Sequence, residues 1–217
     1  MNDTGAAPEP DLPWWGLASS VAAPLILFTG WTVAAGLQKL RYDPVRQTIS
    51  VLAGHGATDR WVMTLAFLAV GACDVITGLA LRPARKAGRI ILIIGGIGGM
   101  LVGANPETLG HGVPARHLLF AALGFVALTI WPAAAARRGD KKTVPWALRP
   151  RIAVGASVLT LGLFTWFFAE LVLSGGALGL AERALGEFQA LWPLAAALSC
   201  RGVLQRTFRH QFPRSRP

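Results

Sequence analysis

Six long apolar runs fix the class of this chain. A helix needs about 20 mostly apolar residues to cross a hydrocarbon core roughly 30 Å thick. Runs of that kind lie at 14–37, 61–81, 88–104, 114–136, 152–173 and 184–203. They are continuously apolar rather than alternating, which argues for helices and against a β-barrel. Only 15% of the 217 residues are charged, so little is left to cover a water-soluble surface. The predicted fold is therefore all-α: a polytopic bundle of six transmembrane helices in one domain over 14–203. An acidic tail, 1–13, predicted to be disordered, precedes it and a basic tail, 204–217, follows.

The formal net charge of +10 raises the question of nucleic acid. The basic residues, however, sit in short connectors beside spans, where they set orientation and touch anionic lipid. No nucleic-acid partner is expected. Counted by alternate connectors, the set containing both tails holds 15 of the 21 Lys and Arg residues and the other set holds 6. The positive-inside rule then places both termini in the cytoplasm, in a cell membrane. The first outer connector, with Lys39, Arg41, Arg46 and Arg60, weakens that contrast. Cys73 and Cys200 fall within spans and read as buried thiols rather than a disulfide framework. The start MNDTGAAPEPDLP lacks the positive region of a signal peptide, so the first span is expected to be retained.

Asp43-Pro44 predicts a helix start in the first outer connector. Val45, Ile49 and Leu52 follow at helical spacing and Gly54 can end the turn. This segment reads as a short amphipathic helix, parked on lipid or folded over the mouth of the bundle. In the third span Gly95, Gly99 and Gly103 recur every fourth residue. Such a face lets another helix approach closely, within the bundle or in a homo-oligomer. Pro193 should kink the sixth span.

Among groups that can carry chemistry, Asp74 is the most costly. It lies well inside the second span, where a charged side chain costs at least about 2.5 kcal/mol. Phe67, Gly71, Asp74 and Gly78 share one helical face, and the glycines mark that face as packed against protein. Asp74 reads as a proton donor, substrate contact or ion site, and equally as an interhelical hydrogen bond. Glu170 shares a face with Leu163, Trp166, Phe167 and Ser174 near the outer end of the fifth span. Desolvation disfavours the charged form of a carboxyl, which suits a proton donor, and the rings could stabilise a nearby cation. The plainer reading is an interfacial glutamate reaching water.

The third connector, NPETLGHGVPARH, brings Glu107, His111, Arg116 and His117 to the outer mouth. Glu182, Arg183 and Glu187 come from the opposite mouth loop, before the sixth span. Arg183 and Glu187 are four apart and can pair on one helix face. Ser50 and His55 belong to the first outer connector, so three loops can converge on one pocket. No metal signature such as HExxH exists, and Ser50 lacks a nucleophile-elbow sequence. No metal and no cofactor are expected.

The runs YDPVRQTISVLAGHGATDRW, GANPETLGHGVPARH and GLAERALGEFQALW together resemble a large family of bacterial six-helix integral membrane proteins of unknown function. The resemblance spans roughly residues 31–200 and implies no assigned activity. More loosely, size and topology are similar to small bacterial membrane terpene cyclases of indole- and diketopiperazine-terpenoid pathways. That resemblance implies protonation of a prenyl alkene or epoxide and guidance of the resulting cation. No motif residue is carried over from it.

The leading expectation is a membrane-embedded enzyme acting on an isoprenoid or other lipid-like substrate, such as a hydrophobic prenylated small molecule. Its candidate catalytic residues are Glu170, Asp74, Glu107 and His117. Candidate substrate-binding residues are Trp166, Phe167, Phe67, Phe120, Trp192, His111, Glu182 and Arg183. The alternatives are a non-catalytic membrane subunit, or a small ion-coupled transporter with Asp74 as coupling site.

Overall fold

The computed structural model describes residues 12–39, 41–108, 113–140 and 143–211, with side chains as far as Arg201. Seven α-helices account for most of these residues: α1 (Trp14–Gly36), α2 (Ile49–Ala53), α3 (Trp61–Ala80), α4 (Lys86–Ala104), α5 (Ala115–Ala135), α6 (Pro150–Val172) and α7 (Leu178–Gln211). A single 3-10 turn, Trp146–Leu148, leads into α6. Among the described residues no strand forms, and the only β pairing is an isolated bridge between His55 and Thr108.

The six long helices fall on the six apolar runs. Five of them, α1, α3, α4, α5 and α6, are long and apolar enough to cross a membrane. The helix α7 contains the sixth run and carries Glu182, Arg183 and Glu187 near its start. Its backbone stays helical to Gln211, through much of the segment expected to be a tail. Large apolar side chains cover the outside of the bundle, including Leu25, Leu65, Leu119, Val158 and Leu173, all more than half exposed. So much exposed apolar surface would aggregate in water and is stable against lipid.

Packing at the centre depends on glycine. Helix α4 lies between α3 and α5 and packs most extensively against both. A Cβ on Gly96 would stand 2.5 Å from the Gly71 carbonyl oxygen and 2.9 Å from the Asp74 Cβ. One on Gly98 would stand 2.8 Å from the Gly124 Cα. Bare backbone is what lets these helices approach, as membrane helices require when lipid removes the hydrophobic drive to associate. Of the predicted every-fourth-residue face, Gly95 meets Leu128 of α5 and Gly103 meets Phe67 of α3, while Gly99 faces open space. This stripe is therefore used inside the protomer.

The first connector departs from the predicted helix. Asp43 does accept from the Val45 and Arg46 N–H groups (2.9 and 3.3 Å), but this closes only a turn. Helix α2 starts later, at Ile49, after an extended Thr48. Its apolar residues Ile49, Leu52 and Ala53 are buried against α1 and α3 rather than lying on lipid. Gly54 ends α2 in an extended conformation, where a Cβ would approach the Glu107 carbonyl oxygen to 3.2 Å.

Candidate functional site

At the end of the bundle where α7 begins, one guanidinium gathers three segments. Arg183 Nη1 donates to the carbonyls of Pro44 (2.8 Å), Gln47 (3.0 Å) and Gly179 (2.8 Å). Its Nη2 donates to the Tyr42 hydroxyl, which in turn donates to the Gln47 and Thr48 carbonyls. The guanidinium carbon stands 4.9 Å from the centre of the Trp31 ring and 5.7 Å from that of Tyr42. A planar cation with five donors suits this mixture of carbonyls and ring faces. The adjacent Glu182 accepts from the Ile49 N–H and from Ser50 Oγ (3.3 Å). Together Glu182 and Arg183 clasp the 42–50 segment over the end of the bundle, with α2 turned inward.

The predicted Arg183–Glu187 ion pair does not form. Arg183 turns to backbone carbonyls, and Glu187 instead accepts from Trp31 Nε1 (3.2 Å). The Pro44, Gln47 and Gly179 carbonyls and the Tyr42 hydroxyl occupy both terminal nitrogens of Arg183, and the Trp31 indole holds Glu187.

Glu107 joins the same end. Its carbonyl accepts from the His55 N–H (2.7 Å), tying the third connector to the first. Its side chain is buried, and Oε1 has no hydrogen-bond partner. Burial pushes the Glu107 carboxyl above its ordinary range, and the nearby His117 partly opposes this. His117 is buried, with Nδ1 at 2.8 Å from the Asn105 carbonyl oxygen. The Tyr42 hydroxyl is likewise raised, first by burial, with the Arg183 bond acting against it. The loops meet at this end through Ser50, His55, Glu107, Glu182 and Arg183, though only Ser50 and Glu182 of these line the cavity beneath. His111 lies outside the described residues.

Beneath the clasp a narrow cavity of about 100 Å³ runs into the bundle. Glu182 and Ser50 line it at the clasp end, and Asp74 lines it within the bundle. Between them the walls are largely apolar, with Phe67, Val70, Leu27, Phe125 and Leu128 among the lining residues and Gln189 as the polar exception. The Gln189 amide is held by the Phe125 carbonyl (3.1 Å) and the Thr129 hydroxyl (3.3 Å). Asp74 is 3% exposed, and its Oδ1 has no hydrogen-bond partner. A buried carboxyl oxygen without a partner is costly, so its place on a cavity wall marks Asp74 out chemically.

The second acid predicted inside a span lies elsewhere. Glu170 Oε1 accepts from Trp166 Nε1 (3.2 Å) and Oε2 from the Ala177 N–H (2.9 Å). It closes the turn that ends α6 and does not line the cavity. Phe167 packs on Phe125 with ring centres 5.4 Å apart, behind the cavity wall. Phe120 is half-buried and lies off the cavity. Trp192 sits toward the opposite end, stacked on Phe188 and edge-on to Trp146. Of the predicted site residues, the cavity therefore brings together Asp74, Phe67 and Glu182. Phe125 and Gln189 were missed. A lone amide inside an apolar span was the available signal for Gln189; Phe125 looked like any other lipid-facing ring.

The fold and its internal cavity define the class: a multi-pass helical membrane protein with polar groups gathered at one end and one acid deep inside. Within that class the chain belongs to the family described as protein of unknown function (DUF998), whose model matches residues 21–199. The match takes in every residue that lines the cavity. Comparison with curated proteins and with solved structures gave no match. The resemblance to an uncharacterised family thus holds, and no comparison supports the looser likeness to terpene cyclases.

Proposed function

We propose that this protein is a membrane-embedded enzyme that takes a lipid-like, isoprenoid-class molecule from the bilayer and protonates it with Asp74. In this reading α7 is the sixth span, and both termini face the cytoplasm. The observation that carries the proposal is Asp74, with an unpartnered buried Oδ1, among the residues lining an apolar cavity. An apolar lining suits an alkene-bearing chain, and it keeps water from a cation formed beside the acid. Asp74 would give its proton to an alkene carbon or epoxide oxygen. The resulting cation would rearrange and end by releasing a proton, which restores the acid. Such an isomerisation needs no oxidant, reductant or cofactor.

The cavity is smaller than the roughly 300–1,000 Å³ of ordinary ligand pockets. A farnesyl-sized chain therefore enters only as the walls part. Ile49 and Ser50 belong both to the clasped segment and to the cavity lining, so release of the clasp would open it.

One observation favours a second reading. Carboxyls stand at both ends of the cavity, Glu182 at the clasp and Asp74 within, as a proton-coupled carrier would need. One experiment separates the two. Membranes containing the protein are incubated with farnesylated and epoxidised prenyl substrates, and products are analysed by mass spectrometry. Proteoliposomes are assayed in parallel for proton flux. The enzyme reading predicts cyclised or isomerised product that is lost in Asp74→Asn. Flux without product, also lost in Asp74→Asn, would favour the carrier, and product formation indifferent to Asp74→Asn would end the assignment of Asp74 as the acid.

A further inference from the structure

At the end of the bundle opposite the clasp, a groove of about 590 Å³ opens between the start of α4, the end of α5 and the start of α6. Arg85, Arg137 and Arg138 line it together with Ala133, Ala136, Pro150 and Val154, and no lining residue is acidic. Arg85 and Arg138 are exposed. Arg137 is fixed in the wall: its Nη1 donates to the Pro83 carbonyl (3.0 Å) and its N–H to that of Leu148 (2.8 Å). The groove is also built where two helices begin. Arg85 is the cap residue of α4 and Pro150 the first residue of α6, and neither start is capped by a side chain. Free N–H groups at helix starts add positive potential to that of the guanidinium groups.

The apolar half of the lining continues beyond the groove. Val154, Val158 and Leu161, at i, i+4 and i+7 on α6, are 47, 62 and 53% exposed. They form a stripe running away from the arginines along the outside of the bundle. A site with basic groups at one level and an apolar track leading from it matches a molecule built the same way.

We propose that this groove binds an anionic phospholipid, with the phosphate held by Arg85 and Arg138 and an acyl chain laid along Val154, Val158 and Leu161. Guanidinium groups suit phosphate because they donate in pairs in a fixed plane. The site sits at the basic end of the bundle, the end that the charge bias assigns to the cytoplasmic leaflet, where anionic lipids attract basic residues. A soluble phosphate would use the arginines but leave the apolar stripe idle, so lipid is the occupant the whole surface fits.

The test uses the purified full chain in neutral detergent. Titration with phosphatidylglycerol or phosphatidylcholine is followed by native mass spectrometry and by thermal unfolding, with glycerol phosphate as a soluble competitor. The expected result is retained phosphatidylglycerol and a raised unfolding temperature, little effect of phosphatidylcholine, and no displacement by millimolar glycerol phosphate. The double variant Arg85→Gln/Arg138→Gln should bind phosphatidylglycerol at least about tenfold more weakly, the loss of two charge-assisted contacts. Arg41→Gln/Arg46→Gln, which removes the same charge at the clasp end, should bind as the parent does. Equal weakening by both double variants would reduce the effect to net charge and overturn the site. So would unchanged binding in Arg85→Gln/Arg138→Gln, or full displacement by glycerol phosphate.

Discussion

Asp74 and Glu170 are the two acids that read as proton donors within spans, and their surroundings differ in kind. Around Glu170, at the end of α6, each carboxyl oxygen has a donor, one from Trp166 and one from the Ala177 backbone. Around Asp74, in the wall where α3 meets α4, one oxygen has none, and the residue lines a cavity. The first acid finishes a turn; the second is kept in a place where it costs stability. Aromatic neighbours on the same helix face made Glu170 a candidate beside Asp74 in the sequence. The contrast is one of hydrogen-bond satisfaction, which depends on distant residues and not on an acid's neighbours along its own helix.

The largest expected effect breaks or confirms that contrast directly. Asp74→Asn should lower product formation at least about 100-fold, the lower range for loss of a general acid. Glu170→Gln should change it less than about threefold. Comparable losses in both variants would put the acids on one footing and erase the distinction.

A second pair probes the packing that holds Asp74 in place. Gly96→Val drives its new side chain toward the Gly71 carbonyl and Asp74 itself. It should destabilise by about 1–3 kcal/mol or more, as overpacking does. Gly162 on α6 meets nothing within 4 Å, so Gly162→Val should stay within about 0.5 kcal/mol of the parent. Thermal unfolding in one detergent compares them, and equal shifts would show that the α3–α4 approach is not tight.

Glu107 offers the smallest and most selective effect. It shares with Asp74 a buried oxygen lacking a partner, but it lies in a connector. Because burial raises its carboxyl above the ordinary value of 4.5, the folded state holds a proton that the unfolded chain releases. Stability should therefore fall as pH rises from about 4.5 through the folded value. Glu107→Gln should flatten that slope, by an amount within about 1 kcal/mol. Unfolding measured across this pH range checks the sign, and a variant with an unchanged slope would place the titration elsewhere.

The long helices were legible because lipid imposes one rule, continuous apolarity over a fixed length, and runs such as 61–81 and 152–173 obey it. Asp74 was legible for the same reason, as an exception to that rule. Other features depended on tertiary partners that no local pattern records. Helix α2 began at Ile49 rather than near Val45 because its apolar residues had α1 and α3 to bury against. Arg183 chose the open carbonyls at Pro44 and Gln47 over Glu187 because a turn far along the chain presented them. Tyr42, the only tyrosine in the chain, gave no periodic signal before the fold placed it in the clasp.

The most direct test of the central claim needs no substrate. A lipid-soluble carbodiimide reacts with carboxyl groups it can reach from an apolar medium. Protein in membranes is treated with it, digested, and the adducts are mapped by mass spectrometry. An adduct on Asp74, with Glu170 unmodified, is the result predicted for an acid lining a cavity beside one closed by hydrogen bonds. Modification of Glu170 with Asp74 untouched would contradict the account.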